Sequence, residues 1–362
     1  MSVVQRPKWH PSFKLNGLSF NHPQELEVFL SELIEQGDAH EQDLAEFINQ
    51  WLDESNELTA HTSGTTGRPK PISLNKEKMK LSARTTGEFF NLGSNSTALL
   101  CLPLSFIAGK MMVVRALVLG WDLHVVAPTK DALTKYDAHY DLVALVPHQL
   151  AHCYRALDKV GTLLVGGGVL PQSLEEKLQF SSTKAFATYG MTETLTHVAA
   201  RRLNGDQRDR MYRAMPQMSF GLDRRNCLII HAPNLLDKPL VTNDIVRLID
   251  AQSFEFLGRY DDLINSGGVK YAPEVLEQKL RQYVSGPFYI SSLAHPTLGE
   301  QIVLVKDKNG PSDLALEEGI KRLEVFEQPK FILNLDGLPM TETGKIKRKA
   351  LRERIRQNHS AS

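Results

Sequence analysis

Nine consecutive residues, Thr62-Ser63-Gly64-Thr65-Thr66-Gly67-Arg68-Pro69-Lys70, gather four hydroxyls, two glycines and a lysine. That is chemistry for holding phosphate. Glycine lets backbone N–H groups close around an anion, and hydroxyls and an ammonium donate charge-assisted hydrogen bonds. A flexible linker shares the Gly, Ser and Thr but needs neither Pro69 nor Lys70. The run is not a Walker A loop, since Gly64 and Gly67 are only three apart and Lys70 is followed by Pro71. A second reactive residue, Arg115, lies among Met111, Met112, Val113, Val114, Ala116 and Leu117. A guanidinium there either snorkels to solvent or pairs with an anion. Lys110, four residues after Phe106, is either a helper to it or a solvated helix start.

The nine residues resemble the phosphate loop of the adenylate-forming superfamily, the acyl-CoA synthetases, peptide-synthetase adenylation domains and luciferases. They match its pattern, Thr-Ser-Gly-Ser/Thr-Thr-Gly-x-Pro-Lys, at every fixed position. Further motifs follow in the family's order. Leu102-Pro103-Leu104-Ser105-Phe106-Ile107-Ala108-Gly109 resembles the element beside the acyl pocket, with Phe106 replacing the family histidine. Gly166-Gly167-Gly168 matches a glycine-rich turn that the resemblance places against adenine. It is not a dinucleotide fingerprint, because the third glycine and the later acidic residue are missing. Thr188-Tyr189-Gly190-Met191-Thr192-Glu193 resembles Tyr-Gly-x-Thr-Glu. Tyr189 offers a stacking face, Thr192 a donor for the α-phosphate and Glu193 a hard oxygen for Mg²⁺.

Thr242-Asn243-Asp244 resembles Thr-Gly-Asp, with Asn243 at the glycine position. Asn tolerates the left-handed conformation, so the turn is expected to survive. The resemblance then gives Asp244 and Arg259 to the ribose, and Asp261 to a hinge. It gives Ser266, Gly267, Gly268 and Lys270 to a CoA-dependent step, and Lys345, in Pro339-Met340-Thr341-Glu342-Thr343-Gly344-Lys345, to catalysis of adenylation with Thr192 and Lys70. It implies ATP, Mg²⁺ and CoA acting on a carboxylic acid. The interval from Gly109 to Arg115 resembles that of the o-succinylbenzoate:CoA ligases of menaquinone synthesis, where the arginine is expected to bind a substrate carboxylate. The alternatives are another aryl- or acyl-CoA ligase, or a nucleotide-binding regulatory protein without turnover.

The scaffold must bring these scattered groups together. The 362 residues are 42% apolar and 23% charged with zero formal net charge, ordinary globular usage that steers the chain to neither nucleic acid nor anionic membrane. The basic residues from Lys347 to Arg356 lack interleaved aromatics and read as a solvated helix face. No apolar run approaches the ~20 residues of a membrane span, and a cytoplasmic location is the expectation. Cys101, Cys153 and Cys227 are too far apart for a Cys-x-x-Cys metal site and read as core residues.

Leu26, Phe29, Leu30, Leu33 and Ile34 keep helical spacing, as do Leu44, Phe47, Ile48, Trp51 and Leu52. From residue 76 onward helices and strands alternate, among them a helix from Pro147 to about Leu157, which predicts a layered α/β domain with parallel strands. Arg201 to Arg213 reads as a mobile excursion, and a distorted β subdomain follows it. The final hundred residues predict a small α+β unit, with a helix from Pro273 that buries Leu276, Leu280 and Val284 and another over 314–326. The expected organisation is an adenylation domain over 1–258, a hinge at 259–261 and a mobile C-terminal domain over 262–362. Compared with the family, the region before the phosphate loop is short, which leaves oligomeric state open. His148, His152 and His197 are given no role.

Overall fold

The structure, a computed structural model, describes residues 8–61, 71–135, 137–168, 170–341 and 346–360. The chain divides into two compact units, Met1–Ser219 with His231–Pro239, and Phe220–Ile230 with Leu240–Ser362. By this division the β subdomain, expected with the larger domain, is grouped with the C-terminal residues.

The first unit opens with β1 (Lys14–Leu15), β2 (Leu18–Ser19), α1 (Pro23–Gln36) and α2 (Ala39–Leu52). The two helices carry the apolar stripes foreseen, burying Leu26 and Leu30 on one and Leu44, Phe47, Ile48 and Trp51 on the other. Each starts on a carboxylate reaching back to the chain before it. The Glu25 side chain accepts from the Asn21 amide at 2.8 Å, and Glu41 accepts from the Asp38 amide at 2.8 Å. Next, β3 (Glu57–His61) and β4 (Pro71–Asn75) pair antiparallel, with His61 opposite Pro71. The nine-residue motif spans the gap between them and lies outside the described residues.

Beyond it come α3 (Lys76–Phe90), β5 (Thr97–Leu100), α4 (Ile107–Leu119), β6 (Asp122–Val125), β7 (Tyr140–Leu145), α5 (Pro147–Cys153), β8 (Val160–Val165), α6 (Gln172–Leu178), β9 (Lys184–Gly190), β10 (His197–Arg202) and β11 (Tyr212–Ala214). Asn75 caps α3 by accepting from the Lys78 amide at 3.0 Å. The sheet order is β11-β10-β9-β8-β7-β5-β6-β1-β2. From β9 to β1 the neighbours are parallel. β10 runs against β9, and β11 against β10. Leu99, Val143, Leu163 and Ala185, from four of the parallel strands, share one core, which explains their near-continuous apolar runs.

Two local expectations change here. The span from Arg201 to Arg213 is tied down: Arg201 pairs with Glu175 at 2.9 Å, Arg213 pairs with Asp209 at 3.0 Å, and the span runs into β11. Its many charges find partners across the turn, which charge density along the sequence does not reveal. The predicted helix over 147–157 closes its α-turns at Cys153 and continues to Lys159 as a tighter 3₁₀ helix.

The second unit contains β12 (Ser219–Leu222), β13 (Cys227–His231), β14 (Leu240–Asp250), β15 (Ser253–Arg259), β16 (Ile264–Ser266), β17 (Val269–Tyr271), α7 (Pro273–Leu280), β18 (Phe288–His295), β19 (Gly299–Asp307), α8 (Asp313–Ile320), β20 (Ile332–Leu335) and α9 (Arg348–Ser360). β12 to β15 lie in sequential order, and β17-β16-β19-β18 form a second sheet, with β20 parallel to β19. Leu276, Leu280 and Val284 pack on Phe288, Ile290 and Leu304, as the periodicity of α7 predicts. Asn243 is not left-handed: it lies within β14, and its φ is not among the positive values. The strand extends through the expected turn because Asp244 and Ile245 pair with Arg259 and Gly258. The helix predicted over 314–326 stops at Ile320, leaving Phe326 82% exposed.

Candidate active site

In a parallel sheet the carboxyl ends of all strands share one edge, and ligands of open α/β sheets bind outside that edge. In the first unit Ser105 follows β5, Gly166–Gly168 follow β8, and Tyr189 to Glu193 end and follow β9. Three motifs far apart in sequence therefore emerge on one edge. Ser105 and Glu193 are exposed. Glu193 makes no hydrogen bond or ion pair with the described residues, while the Tyr189 ring lies 5.8 Å from that of Tyr212.

The turn after β9 is tightly held. The Thr194 hydroxyl donates to the Thr196 carbonyl at 2.7 Å, lies 3.0 Å from the Met191 carbonyl, and accepts from the Met191 amide at 3.1 Å. Leu195 is forced to φ +65, an uncommon conformation for a bulky residue. Gly190 is required by contact, because a Cβ there would lie 2.3 Å from the Thr196 carbonyl oxygen. The Thr194 hydrogen bonds hold Thr192 and Glu193 on a 3₁₀ turn.

Arg115 does not snorkel. It is 3% exposed, its Nε donates to Thr86 Oγ1 at 3.2 Å, and its Nη2 donates to Thr196 Oγ1 at 2.7 Å. No acidic residue pairs with it among the described residues, and burial pulls its pKa down to about 10. It remains a cation at neutral pH. Next to it, His197 is buried, and burial with the nearby guanidinium holds its pKa well below 6.5. Lys110 points elsewhere. Its ammonium sits 4.8 Å from the Phe47 ring centroid, and burial lowers its pKa. Five residues along α4 from Arg115, it falls on a different helix face, so the two cations do not converge.

All three cysteines are buried, and burial raises the Cys101 thiol to about 12, so it is a packed group and not a nucleophile. His148 and His152 are exposed, with rings 4.8 Å apart.

In the second unit β14 and β15 set Asp244 opposite Arg259, with Oδ1 3.6 Å from Nη1. Asp244 is buried and receives its orientation from Thr242, whose hydroxyl accepts from the Asp244 amide at 3.0 Å. Asn243 donates to Asp261 at 3.1 Å and accepts from Arg225 at 3.0 Å. The side chain at the family's glycine position thus ties the Thr242-Asn243-Asp244 segment to Asp261. Gly258, at φ +153, closes against α7, where a Cβ would lie 2.6 Å from Glu274 Oε2. Ser266 pairs with Val269 across a two-residue turn in which Gly267 and Gly268 both have positive φ, the mirror-image turn that hairpins favour. Lys270 then lies 5.2 Å from the Tyr260 ring centroid, with Arg225 5.0 Å from it.

Lys70, the remainder of the phosphate loop, and Lys345 lie outside the described residues. The base of the loop carrying Lys345 is described: Met340 bridges to Ile346, and the Lys347 amide donates to the Pro339 carbonyl at 2.8 Å. Sequence reasoning gave no role to Thr86, Thr196 or His197, and missed β10 and β18. The one signal available was the short spacing of Thr196 and His197 after the Tyr-Gly-x-Thr-Glu motif.

A mostly parallel α/β sheet with motif-bearing turns at its carboxyl edge defines the class of α/β proteins that bind ligands at that edge. Residues 28–220 match the family described as AMP-binding enzyme, and the chain belongs to that family. It is similar to the structure of an acyl-CoA synthetase (AMP-forming)/AMP-acid ligase II-like protein from Dyadobacter fermentans, at 32% identity and a TM-score of 0.61. That match covers 89% of this chain and 96% of the other. A probable 2-succinylbenzoate–CoA ligase of Mycobacterium tuberculosis is 27% identical over 342 residues, covering 85% of this chain and 87% of the relative. Escherichia coli MenE, solved as an arginine-to-lysine variant with bound OSB-AMS, is 25% identical with a TM-score of 0.66, covering 83% and 69%. Among the described residues no helix is long and apolar enough to cross a membrane.

Proposed function

We propose that this chain is an AMP-forming acid:CoA ligase whose acid is 2-succinylbenzoate. The observation that carries the choice of acid is Arg115, a buried cation with no acidic partner among the described residues. Burying a guanidinium without a counter-charge is costly, and a substrate carboxylate supplies that charge in a planar, two-point geometry. An acid with two carboxylates can present one to Arg115 while the other reacts.

In the proposed first step a carboxylate oxygen attacks the α-phosphorus of ATP, forming an O–P bond as the bond to pyrophosphate breaks. A carboxylate is already ionised at neutral pH, so no general base is required. Residues 62–70, with Lys70, take the β- and γ-phosphates. Thr192 donates to the α-phosphate, and Lys345 meets the charge that builds there. Gly166–Gly168, Thr188 and Tyr189 take the adenine, and Asp244 with Arg259 the ribose. No group of three metal-ligating side chains occurs among the described residues. The exposed carboxylate of Glu193 would hold the Mg²⁺. When bound, the ion supplies positive charge against the phosphates.

In the second step CoA thiolate attacks the acyl carbonyl, the C–S bond forms, and AMP leaves. The hinge at 259–261, with Asp261 as pivot, and the Ser266–Lys270 turn are assigned to the change between steps. The test is a panel of carboxylic acids assayed for pyrophosphate and AMP release with ATP, Mg²⁺ and CoA. Thioester formation from 2-succinylbenzoate, at least tenfold more efficient in kcat/KM than from monocarboxylic aryl acids, is the expected result. Turnover only with other acids would move the reading to a different acyl-CoA ligase, and no AMP with any acid would overturn it.

A further inference from the structure

We propose that His197 is a positioning residue which, through Thr86 and Thr196, holds the Arg115 guanidinium open for a second substrate carboxylate and so sets selectivity for dicarboxylic acids. The inference rests on the reading of Arg115 given above and adds the group that orients it. Four residues from three places meet here: Thr86 on α3, Arg115 on α4, and Thr196 with His197 at the start of β10.

One assignment of the hydrogens satisfies all four side chains. The Thr86 hydroxyl has one hydrogen, given to the Ser82 carbonyl oxygen, which can only accept and lies 3.1 Å from Oγ1. Its two lone pairs then face Arg115 Nε at 3.2 Å and His197 Nε2 at 3.1 Å. In this assignment Nε2 carries a hydrogen. In the neutral ring Nδ1 is then bare, and it lies 3.4 Å from the Thr196 hydroxyl, which already accepts from Arg115 Nη2. The hydrogen of Thr196 is the one available to it.

The result is a closed ring of donors, Arg115 to both threonines, Thr196 to His197, and His197 to Thr86. Phe90 packs edge-on against the imidazole at 6.0 Å between centroids. Two of the guanidinium's nitrogens are consumed by neutral hydroxyls, and Nη1 makes no hydrogen bond with the described residues. An aspartate or glutamate in place of His197 would pair with Arg115 and close it to substrate. A neutral imidazole does the holding without cancelling the charge.

The experiment compares 2-succinylbenzoate with 3-benzoylpropanoate, the same skeleton lacking the ring carboxylate, in the wild type, His197→Leu, His197→Gln, Arg115→Met and the double variant His197→Leu/Arg115→Met. His197→Leu should raise the KM for the dicarboxylate about tenfold, the loss expected when one hydrogen-bonded tether is removed. The KM values for ATP and for the monocarboxylate should stay within about twofold, and His197→Gln, whose amide can donate to Thr86, should recover most of the loss. In the Arg115→Met background His197→Leu should change nothing further, because the tether then has nothing to hold. Equal losses for both acids and ATP, or a full additional loss in the Arg115→Met background, would make His197 a packing residue and overturn the proposal. If Arg115→Met itself leaves the preference between the acids unchanged, the carboxylate reading fails first and takes the tether with it.

Discussion

Replacing Glu274 with glutamine should flatten the pH dependence of stability in the second unit. Glu274, Glu277 and Asp262 all face one cation, Arg348. Its Nε lies 2.8 Å from Glu274 and 3.9 Å from Asp262, and its Nη2 lies 3.1 Å from Glu277. Three carboxylates around one guanidinium cannot all ionise cheaply in a buried site. Burial raises Glu274 from 4.5 to about 7, against the pull of Arg348, and its Oε2 is buried with no hydrogen-bond partner.

The folded state therefore holds a proton on Glu274 that the unfolded chain releases near 4.5. The stability this supplies is fully present below pH 4.5 and is lost as pH rises through about 7. The difference amounts to at most about 3 kcal/mol, at about 1.4 kcal/mol per tenfold change in proton affinity. Glutamine keeps the shape and stays neutral, so the variant should match the wild type near pH 4.5 and exceed it by about 2 to 3 kcal/mol above pH 7. Trp9, Trp51 and Trp121 all belong to the first unit, so fluorescence is blind to this change. Hydrogen exchange by mass spectrometry across residues 273–295 under a urea titration reports on it directly, since the Ile290 amide donates to Glu277 at 2.8 Å. A constant offset between the two proteins from pH 4.5 to 8 would refute the reasoning.

Lys345→Ala should reduce adenylation by about a thousandfold or more while leaving ATP affinity nearly unchanged, read as ATP–pyrophosphate exchange beside equilibrium nucleotide binding. Asp244→Asn should raise the KM for ATP about 10- to 100-fold, the loss expected of charged hydrogen bonds to two hydroxyls; an unchanged KM would remove Asp244 from the ribose site. Gly190→Ala, with its Cβ 2.3 Å from the Thr196 carbonyl, should destabilise the first unit by about 3 kcal/mol or more, seen as a lowered tryptophan-monitored melting temperature. Because the folded pKa of His197 lies below its ordinary 6.5, stability tied to it is held above that pH and lost as pH falls. His197→Leu should make acid unfolding of the first unit less steep.

The motifs were legible because they are local. The chain around Tyr189-Gly190-Met191-Thr192-Glu193 states its own turn at the end of β9. The helical stripes were legible for the same reason. Strands β10 and β18 were not: each pairs with a strand next to it in the chain, but Ala199-Ala200 and Ser291-Ser292 are not the β-branched or aromatic residues that mark strands. Asn243 was misread as a turn for another reason: its strand conformation comes from pairing across to β15, which no window around Asn243 contains.

The sequence by itself determined the family, the order of its reactive motifs and the presence of an arginine in an apolar helix, because residue type and spacing carry these directly. Tertiary structure decided what that arginine does. Only packing of α3, α4 and the start of β10 removes it from water, gives it two hydroxyls in place of a carboxylate, and sets a neutral histidine behind them. Thr86 and His197 are 111 residues apart, and their meeting depends on which sheet edge and which helix face the fold buries.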